Sequence, residues 1–298
     1  KLSKINHLTT EQRNEKTMNL DQMTSLELAS TMNEEDEKVI YAIREILPEI
    51  SKMIDEVTKA FKKGGRLIYM GAGTSGRLGV LDAVECPPTF GTNPDMVVGL
   101  IAGGEKAFVK AVEGAEDFEH LADEDLDRLN ISDRDVVVGI AASGRTPYVI
   151  EGLRYARSKG CVTGAVACNA NSLVGKEADI VMEAVVGPEV LTGSTRLKAG
   201  SAQKMILNMI TTGSMVGIGK AYENLMIDVM QTNEKLVTRA ENMVMTVTEC
   251  ERPLAKEKLK EAEGSVKLAI LSILSGLSIE ESQKRLKETE GHLRESIK

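Results

Sequence analysis

The sequence predicts an α/β protein in which helices cover both faces of a parallel sheet, with a small helical appendage at the C-terminal end. Short apolar segments of strand length alternate with helical segments through the middle of the chain, which is the pattern of βαβ units. Turns rich in glycine and hydroxyl residues follow several of these segments. From residue 249 onward the chain has only short charged helical patterns, which predict the appendage.

The region before the first predicted strand is helical. Apolar side chains recur at helical spacing across residues 25–63, which predicts one short and one long helix, bent or broken near Pro48. Gly64 and Gly65 end this pattern. We therefore expect residues 1–63 to form an N-terminal helical segment that packs on the core.

Five segments predict strands, and helical patterns fill the intervals between them. The strand segments are residues 66–70, 96–102, 135–142, 162–168 and 179–183. The helical pattern resumes from residue 196 to about 248, and further helices are predicted at 254–263, 266–275 and 279–292. The α/β domain is expected to span residues 64–248 and the helical appendage residues 249–298.

Composition excludes several classes of function. A net charge of −8 disfavours a nucleic-acid partner, because phosphate backbones are bound by clustered Lys and Arg. The four cysteines lack CxxC spacing and no apolar run reaches the length of a membrane span, so we expect a cytoplasmic protein with reduced thiols and no membrane partner. Three scattered histidines disfavour a zinc site or a catalytic triad, so we expect no metal cofactor and acid–base chemistry that falls mainly to carboxylates.

The first glycine-rich turn follows the first predicted strand and reads Gly71-Ala72-Gly73-Thr74-Ser75-Gly76-Arg77. It fits GxGxxG, but a dinucleotide site also needs an acidic residue about 20 positions on, at the end of the second strand. That strand runs into Gly103 and Gly104 instead. A purely structural turn is a second alternative. We favour a phosphosugar cradle, because hydroxyl groups stand beside the free N–H groups of a helix N-terminus; its candidate binding residues are Thr74, Ser75, Gly76 and Arg77.

Two further loops repeat this combination of hydroxyl groups and cations. Residues 142–148 follow the third predicted strand, where Pro147 suits a first helical turn and Ser143 or Thr146 could cap it. Residues 192–201 precede another helix. Three such loops at one edge of a parallel sheet favour a polyhydroxylated anionic ligand. The candidate binding residues in these loops are Ser143, Gly144, Arg145, Thr146, Ser194, Thr195 and Lys198.

Two acidic segments could supply the catalytic groups. Glu85 stands where two prolines are expected to stop the helix after the first loop, and an exposed glutamate at a helix end is more often merely solvated. Glu113, Glu116 and Asp117 follow the second strand; if helical, Glu113 and Glu116 share a face. Acids at a helix N-terminus are the structural alternative. Two carboxylates in different environments could divide the roles of acid and base.

At these same residues the sequence resembles the N-acetylmuramic acid 6-phosphate etherases, a branch of the sugar isomerase (SIS) superfamily. The resemblance covers nearly the whole chain. It is carried by the segments at residues 71–79, 82–89, 111–117, 142–148 and 192–200. It implies a flavodoxin-like three-layer α/β/α sandwich, usually a homodimer, with the site near the subunit interface. It also implies that Glu85 is the proton donor and Glu116 the second catalytic carboxylate.

The reaction that the resemblance implies releases D-lactate from N-acetylmuramic acid 6-phosphate and leaves N-acetylglucosamine 6-phosphate, a step in the recycling of cell-wall sugar. Neither a metal nor a hydride carrier is needed, because an aldehyde next to C2 already acidifies the C2 proton. An aldose–ketose phosphosugar isomerase is the alternative among enzymes. A non-catalytic phosphosugar sensor is the alternative from another class, and it would not need both glutamates.

Overall fold

The computed structural model describes residues 5–118 and 120–298. The chain comprises two compact units. The first unit comprises Lys1–Val84 and Asp95–Thr211, and the second comprises Glu85–Pro94 and Thr212–Lys298.

The first unit contains a five-stranded parallel sheet. Its strands, in the spatial order β2-β1-β3-β4-β5, are β1 (Leu67–Gly71), β2 (Val97–Ile101), β3 (Val136–Ile140), β4 (Val162–Ala167) and β5 (Ile180–Glu183). Every residue of β1 and β3 is buried, as continuous apolar strands in the middle of a parallel sheet should be. All five predicted strands and their parallel arrangement are therefore confirmed.

Helices cover this sheet on both faces. The helices that begin in the first unit are α1 (Ser25–Arg44), α2 (Leu47–Lys62), α3 (Gly73–Phe90), α4 (Lys106–Val109), α5 (His120–Arg128), α6 (Pro147–Ser158), α7 (Leu173–Lys176) and α8 (Lys198–Gly217). Gly164 faces Met53 of α2, whereas its neighbour Ala165 belongs to the apolar cluster of α5 and α6. Because successive strand residues point to opposite faces, α2 and α6 lie on opposite sides of the sheet. The three-layer α/β/α sandwich is confirmed.

Two local predictions about helices were wrong. Residues 25–63 form two long helices of 20 and 16 residues, so the first helix is not short, although the predicted break near Pro48 is confirmed, with Pro48 in the first turn of α2. A proline is tolerated there because its missing N–H would have no partner in the helix. Helix α3 also does not stop before its two prolines. It continues to Phe90, since the Pro87 carbonyl still accepts a 2.8 Å hydrogen bond from the Gly91 amide.

The second unit is helical. Its helices are α9 (Glu234–Thr248), α10 (Arg252–Glu261), α11 (Val266–Ser275), α12 (Ile279–Glu288) and α13 (Leu293–Ile297). The apolar helix α11 packs against α9, α10, α12 and α13. The predicted helical C-terminal region is therefore confirmed, although irregular chain separates α8 from α9 where a continuous helical pattern was expected.

Candidate active site

The turn after β1 leads directly into helix α3. Gly73, the first helical residue, has a φ of +56°, a left-handed conformation that glycine adopts without strain. A Cβ atom on Gly76 would lie 2.6 Å from both the Gly71 carbonyl oxygen and an Ile101 side-chain atom. Only glycine therefore permits this close approach of helix and strand. The first amides of α3 have no partner within the helix and remain available to a ligand.

A cavity of about 340 Å³ lies beside this turn. Its lining includes Thr74 and Arg77 from the first turns of α3, and Glu113 and Glu116 from the segment after β2. The structure thus brings a hydroxyl group, a guanidinium and two carboxylates to one concave site. Such a combination can bind an anion and also transfer a proton.

Arg77 connects the two sides of this cavity. Its Nε donates to the Phe108 carbonyl and its Nη2 to the Ala107 carbonyl, each at 3.1 Å. The guanidinium therefore holds the chain after β2 against α3 while its positive charge stays at the cavity wall. Loss of Arg77 would remove both a cation and this connection.

The acidic segment of residues 113–117 does not form the α-helix that would place Glu113 and Glu116 on one face. Gly114 adopts a φ of +76°, and only Ala115–Asp117 form a single turn of 3-10 helix. Glu113 and Glu116 therefore do not lie on the face of one α-helix, because the left-handed glycine between them breaks the helical path. Both side chains are exposed and still line the same cavity.

The second loop follows β3 and opens helix α6. Gly144 has a φ of +74°, and a Cβ atom there would lie 2.4 Å from the Ser172 Cβ. Pro147 is the first residue of α6, as predicted, and Thr146 occupies the N-cap position without a side-chain capping bond. The Ser143 hydroxyl accepts from the Arg145 amide at 3.2 Å. Because Thr146 makes no capping bond, its hydroxyl is not used to cap α6.

The third loop adjoins the first. The Ser75 hydroxyl is buried and donates to Gln203 Oε1 on α8 at 2.5 Å. A Cβ atom on Gly200 would lie 3.7 Å from Thr74 Cγ2, so the start of α8 lies against the start of α3. Ser194 and Thr195 are half-buried on this third loop. Of the predicted residues in the first and third loops, Thr74 and Arg77 line the cavity, whereas the Ser75 side chain bonds to α8.

Lys198 is the candidate whose surroundings differ most from those of a ligand-binding residue. It is 1% exposed, and its Nζ donates to Glu35 Oε2 and to the Pro188 carbonyl, both at 2.6 Å. Burial raises the pKa of Glu35, but hydrogen bonds from Lys198 and Lys38 outweigh burial and lower the pKa to about 2. The positive charge of Lys198 is therefore compensated by the buried carboxylate of Glu35.

A second buried carboxylate holds the beginning of α8. Glu189 accepts hydrogen bonds from the amides of Lys198 and Ala199 at 3.0 and 2.9 Å. These bonds satisfy two orphan donors of the helix N-terminus. Burial raises the pKa of Glu189 despite these bonds. Glu35, Glu189 and Gln203 were all missed by the sequence analysis, which searched for hydroxyl and cationic residues in loops.

Glu85 is exposed and belongs to the second unit, near the end of α3. It is not among the residues that line the cavity described above. Within residues 5–118 and 120–298, no group of three or more His, Cys, Asp or Glu side chains is arranged to hold a metal ion. No helix in the same ranges has the length and apolar character needed to cross a membrane.

Comparisons with known proteins place this architecture in a family. Residues 49–157 match the model of the glucokinase regulatory protein N-terminal SIS domain, and residues 111–213 match the SIS domain model. A phosphoheptose isomerase from Francisella tularensis superposes with a TM-score of 0.50 at 16% identity, covering 65% of this chain and 98% of that one. This likeness concerns the fold alone.

The curated relatives are much more similar. The N-acetylmuramic acid 6-phosphate etherase of Halalkalibacterium halodurans is 56% identical, with 98% of both chains covered. The etherase of Vibrio atlanticus is also 56% identical, over 99% of this chain and 97% of that one. The chain belongs to the N-acetylmuramic acid 6-phosphate etherase family. The resemblance found in the loop segments is therefore confirmed, and the match covers 98% and 97% of the lengths of these two etherases.

Proposed function

We propose that the protein cleaves the lactyl ether of N-acetylmuramic acid 6-phosphate, a phosphorylated amino sugar, and yields N-acetylglucosamine 6-phosphate and D-lactate. The observation that carries this proposal is the 56% identity to etherases over 98% of both chains. An enzyme that breaks a carbon–oxygen bond in this way is a lyase. A cytoplasmic homodimer without a cofactor is part of the same proposal.

The chemistry proceeds by elimination followed by addition of water. In the open-chain sugar the C1 aldehyde acidifies the C2 proton, so a base can remove it. The electron pair forms the C2–C3 double bond and expels the lactyl oxygen from C3, which takes a proton from an acid and leaves as D-lactate. Water then adds at C3 and a proton returns to C2. Each step is a proton transfer, or an elimination or addition that a proton transfer assists, and carboxylates can catalyse such steps.

The cavity beside the first loop supports a role for Glu116 as the base. Its carboxylate lines the same cavity as Thr74 and Arg77, which can hold an anionic group of the substrate. The amides at the start of α3 and the loop of Ser143 and Thr146 offer further donors at the same edge of the sheet. Protonation of the leaving oxygen is assigned to Glu85 from the family resemblance.

Release of D-lactate tests the proposal. The purified protein is dialysed against a chelator, incubated with N-acetylmuramic acid 6-phosphate, and the free D-lactate is measured with a stereospecific dehydrogenase. We expect lactate and N-acetylglucosamine 6-phosphate in equal amounts, with little release from the unphosphorylated sugar because binding of the 6-phosphate positions the reacting carbons. A ketose phosphate without lactate would indicate an isomerase instead, and binding without any product would indicate a sensor.

A further inference from the structure

Asn169 is a buried amide at the carboxyl edge of the sheet that no part of the proposed chemistry uses. It stands two residues beyond the end of β4 and is 2% exposed. Its Oδ1 accepts from the Thr9 amide at 2.8 Å, the Thr9 hydroxyl at 3.0 Å and the Thr10 amide at 3.5 Å. The N-terminal segment therefore fixes the orientation of this side chain.

The Nδ2 group of the same Asn169 side chain forms hydrogen bonds with the second loop. Asn169 Nδ2 donates to the carbonyls of Ala142 and Ser143 at 3.2 and 3.3 Å, and to the Thr10 hydroxyl at 3.0 Å. A buried amide with both ends occupied is rotationally locked, because a flip would set donors against donors and acceptors against acceptors. Its two donor protons therefore have defined directions, and they are shared among the Thr10 hydroxyl and the two loop carbonyls.

These bonds determine where the loop amides point. In a trans peptide the C=O and the following N–H point in opposite directions, so a carbonyl of Ala142 held by Asn169 turns the Ser143 amide away from it. Among the residues that the structure describes, the Ser143 amide donates to no protein group, whereas the Gly144 amide donates to the Ala141 carbonyl at 2.9 Å. The Ala142 carbonyl also accepts from the Cys168 amide at 3.0 Å, so Asn169 and the Cys168 amide together fix this peptide and leave the Ser143 donor unpaired.

We propose that Asn169 is a positioning residue for the substrate phosphate: held by Thr9 and Thr10, its side-chain amide orients the peptide between Ala142 and Ser143 so that the Ser143 N–H is directed at the phosphoryl oxygens. This inference rests on the proposed function, because it takes the loop of residues 142–146 as a phosphate-binding loop. It gives the polar N-terminal segment a role in substrate affinity.

The experiment measures the affinity of wild type and Asn169→Asp for N-acetylglucosamine 6-phosphate by titration calorimetry. Aspartate keeps the shape and the acceptor toward Thr9 but places an oxygen against two carbonyls, which turns the loop peptide. We expect the Kd to rise tenfold or more, with KM for the 6-phosphate substrate rising similarly while kcat stays within threefold. A Kd within twofold of wild type in the folded variant would overturn the proposal.

Thr163→Val is the matched control. Thr163 is fully buried at the opposite end of β4, where its hydroxyl donates to Asp179 at 3.1 Å. Its loss should lower the unfolding temperature without changing the Kd. If Thr163→Val weakens phosphosugar binding as much as Asn169→Asp does, the effect is general destabilisation and the proposal fails.

Thr10→Val provides a test that leaves Asn169 in place, should Asn169→Asp not fold. Thr10→Val removes one acceptor of Asn169 Nδ2, so the Kd should rise about threefold when this change is made in the wild-type protein. The same change made in the Asn169→Ala variant should raise the Kd no further, because the effects of neighbours in one hydrogen-bond network are not additive. Additive effects would overturn the coupling. Because binding is measured without turnover, absent lactate release would refute the proposed function alone, whereas absent phosphosugar binding by wild type would refute both.

Discussion

The two edges of the central sheet are built differently, although the same five strands end at both. At the amino edge, Asp135 accepts hydrogen bonds from the Arg66 amide and guanidinium and from the Ser132 amide, all between 2.9 and 3.1 Å. Asp179 and Thr163 bond each other reciprocally across the neighbouring strands. Polar groups at this edge have protein partners.

At the carboxyl edge, polar side chains hold loops in which some backbone amides have no protein acceptor. Asn169 and Gln203 hydrogen-bond to groups of these loops, whereas the amide of Ser143 and the first amides of α3 have no backbone partner among the described residues. Hydrogen bonds at the amino edge therefore stabilise the fold, whereas those at the carboxyl edge orient groups for a ligand. Substitutions at the amino edge should therefore change stability alone, and those at the carboxyl edge should change binding or catalysis.

The largest effect should come from the two candidate catalytic carboxylates. Glu116→Gln keeps the shape of the side chain but cannot accept the C2 proton, so lactate release should fall about a hundredfold or more, together with exchange of the C2 hydrogen in heavy water. Glu85→Gln should retain that exchange while releasing little lactate. The exposed Glu124 of α5 offers a control, since Glu124→Gln should leave both rates unchanged. Loss of exchange in the Glu85 variant instead would reverse the two roles.

Alanine substitutions at two glycines with left-handed backbone conformations, one at each edge of the sheet, should affect stability and phosphosugar binding differently. Gly144→Ala introduces strain of about 1 to 3 kcal/mol and a Cβ 2.4 Å from Ser172, so both the free energy of unfolding and phosphosugar affinity should fall. Gly160 at the amino end of β4 has a φ of +81°, with Asp133 3.2 Å from the added Cβ. Gly160→Ala should destabilise by about 1 kcal/mol without changing KM, as measured by urea unfolding and initial rates. A comparable rise of KM in both variants would contradict the separation of the edges.

An effect on stability alone, with no change in activity, is expected from Asp135→Asn. Burial acts to raise the pKa of Asp135, but hydrogen bonds from Arg66 and Ser132 outweigh it and lower the pKa. A carboxylate with a lowered folded pKa stabilises the protein above its unfolded pKa of about 3.9, and this contribution is lost as the pH falls through the folded pKa. The variant should therefore be less stable by about 1 to 3 kcal/mol at pH 7, and the difference should shrink below about pH 4. A constant difference across this range would mean that the ion pair is not its source.

The sheet could be predicted closely because buried parallel strands are continuous apolar runs, and such runs are visible in the sequence itself. The backbone path of the acidic segment could not be predicted, because nothing in the pattern of residues 113–117 indicates that Gly114 adopts a left-handed backbone conformation. The position of Lys198 was equally hidden. A cation among hydroxyl residues suggests an anionic ligand, but its partner Glu35 lies 163 residues away in the chain. Asn169 was detectable in principle, since it directly follows a predicted strand at the edge where ligands bind.

The fate of the C2 hydrogen during turnover shows whether the ether is cleaved by elimination. Wild-type protein is incubated with N-acetylmuramic acid 6-phosphate in heavy water, and the N-acetylglucosamine 6-phosphate formed is examined by proton NMR. Elimination and hydration predict one deuterium at C2 for each D-lactate released, because the abstracted proton exchanges with solvent before it is replaced. Lactate release with the original hydrogen still at C2 would contradict the account, since the ether would then be cleaved without the proton abstraction assigned to Glu116.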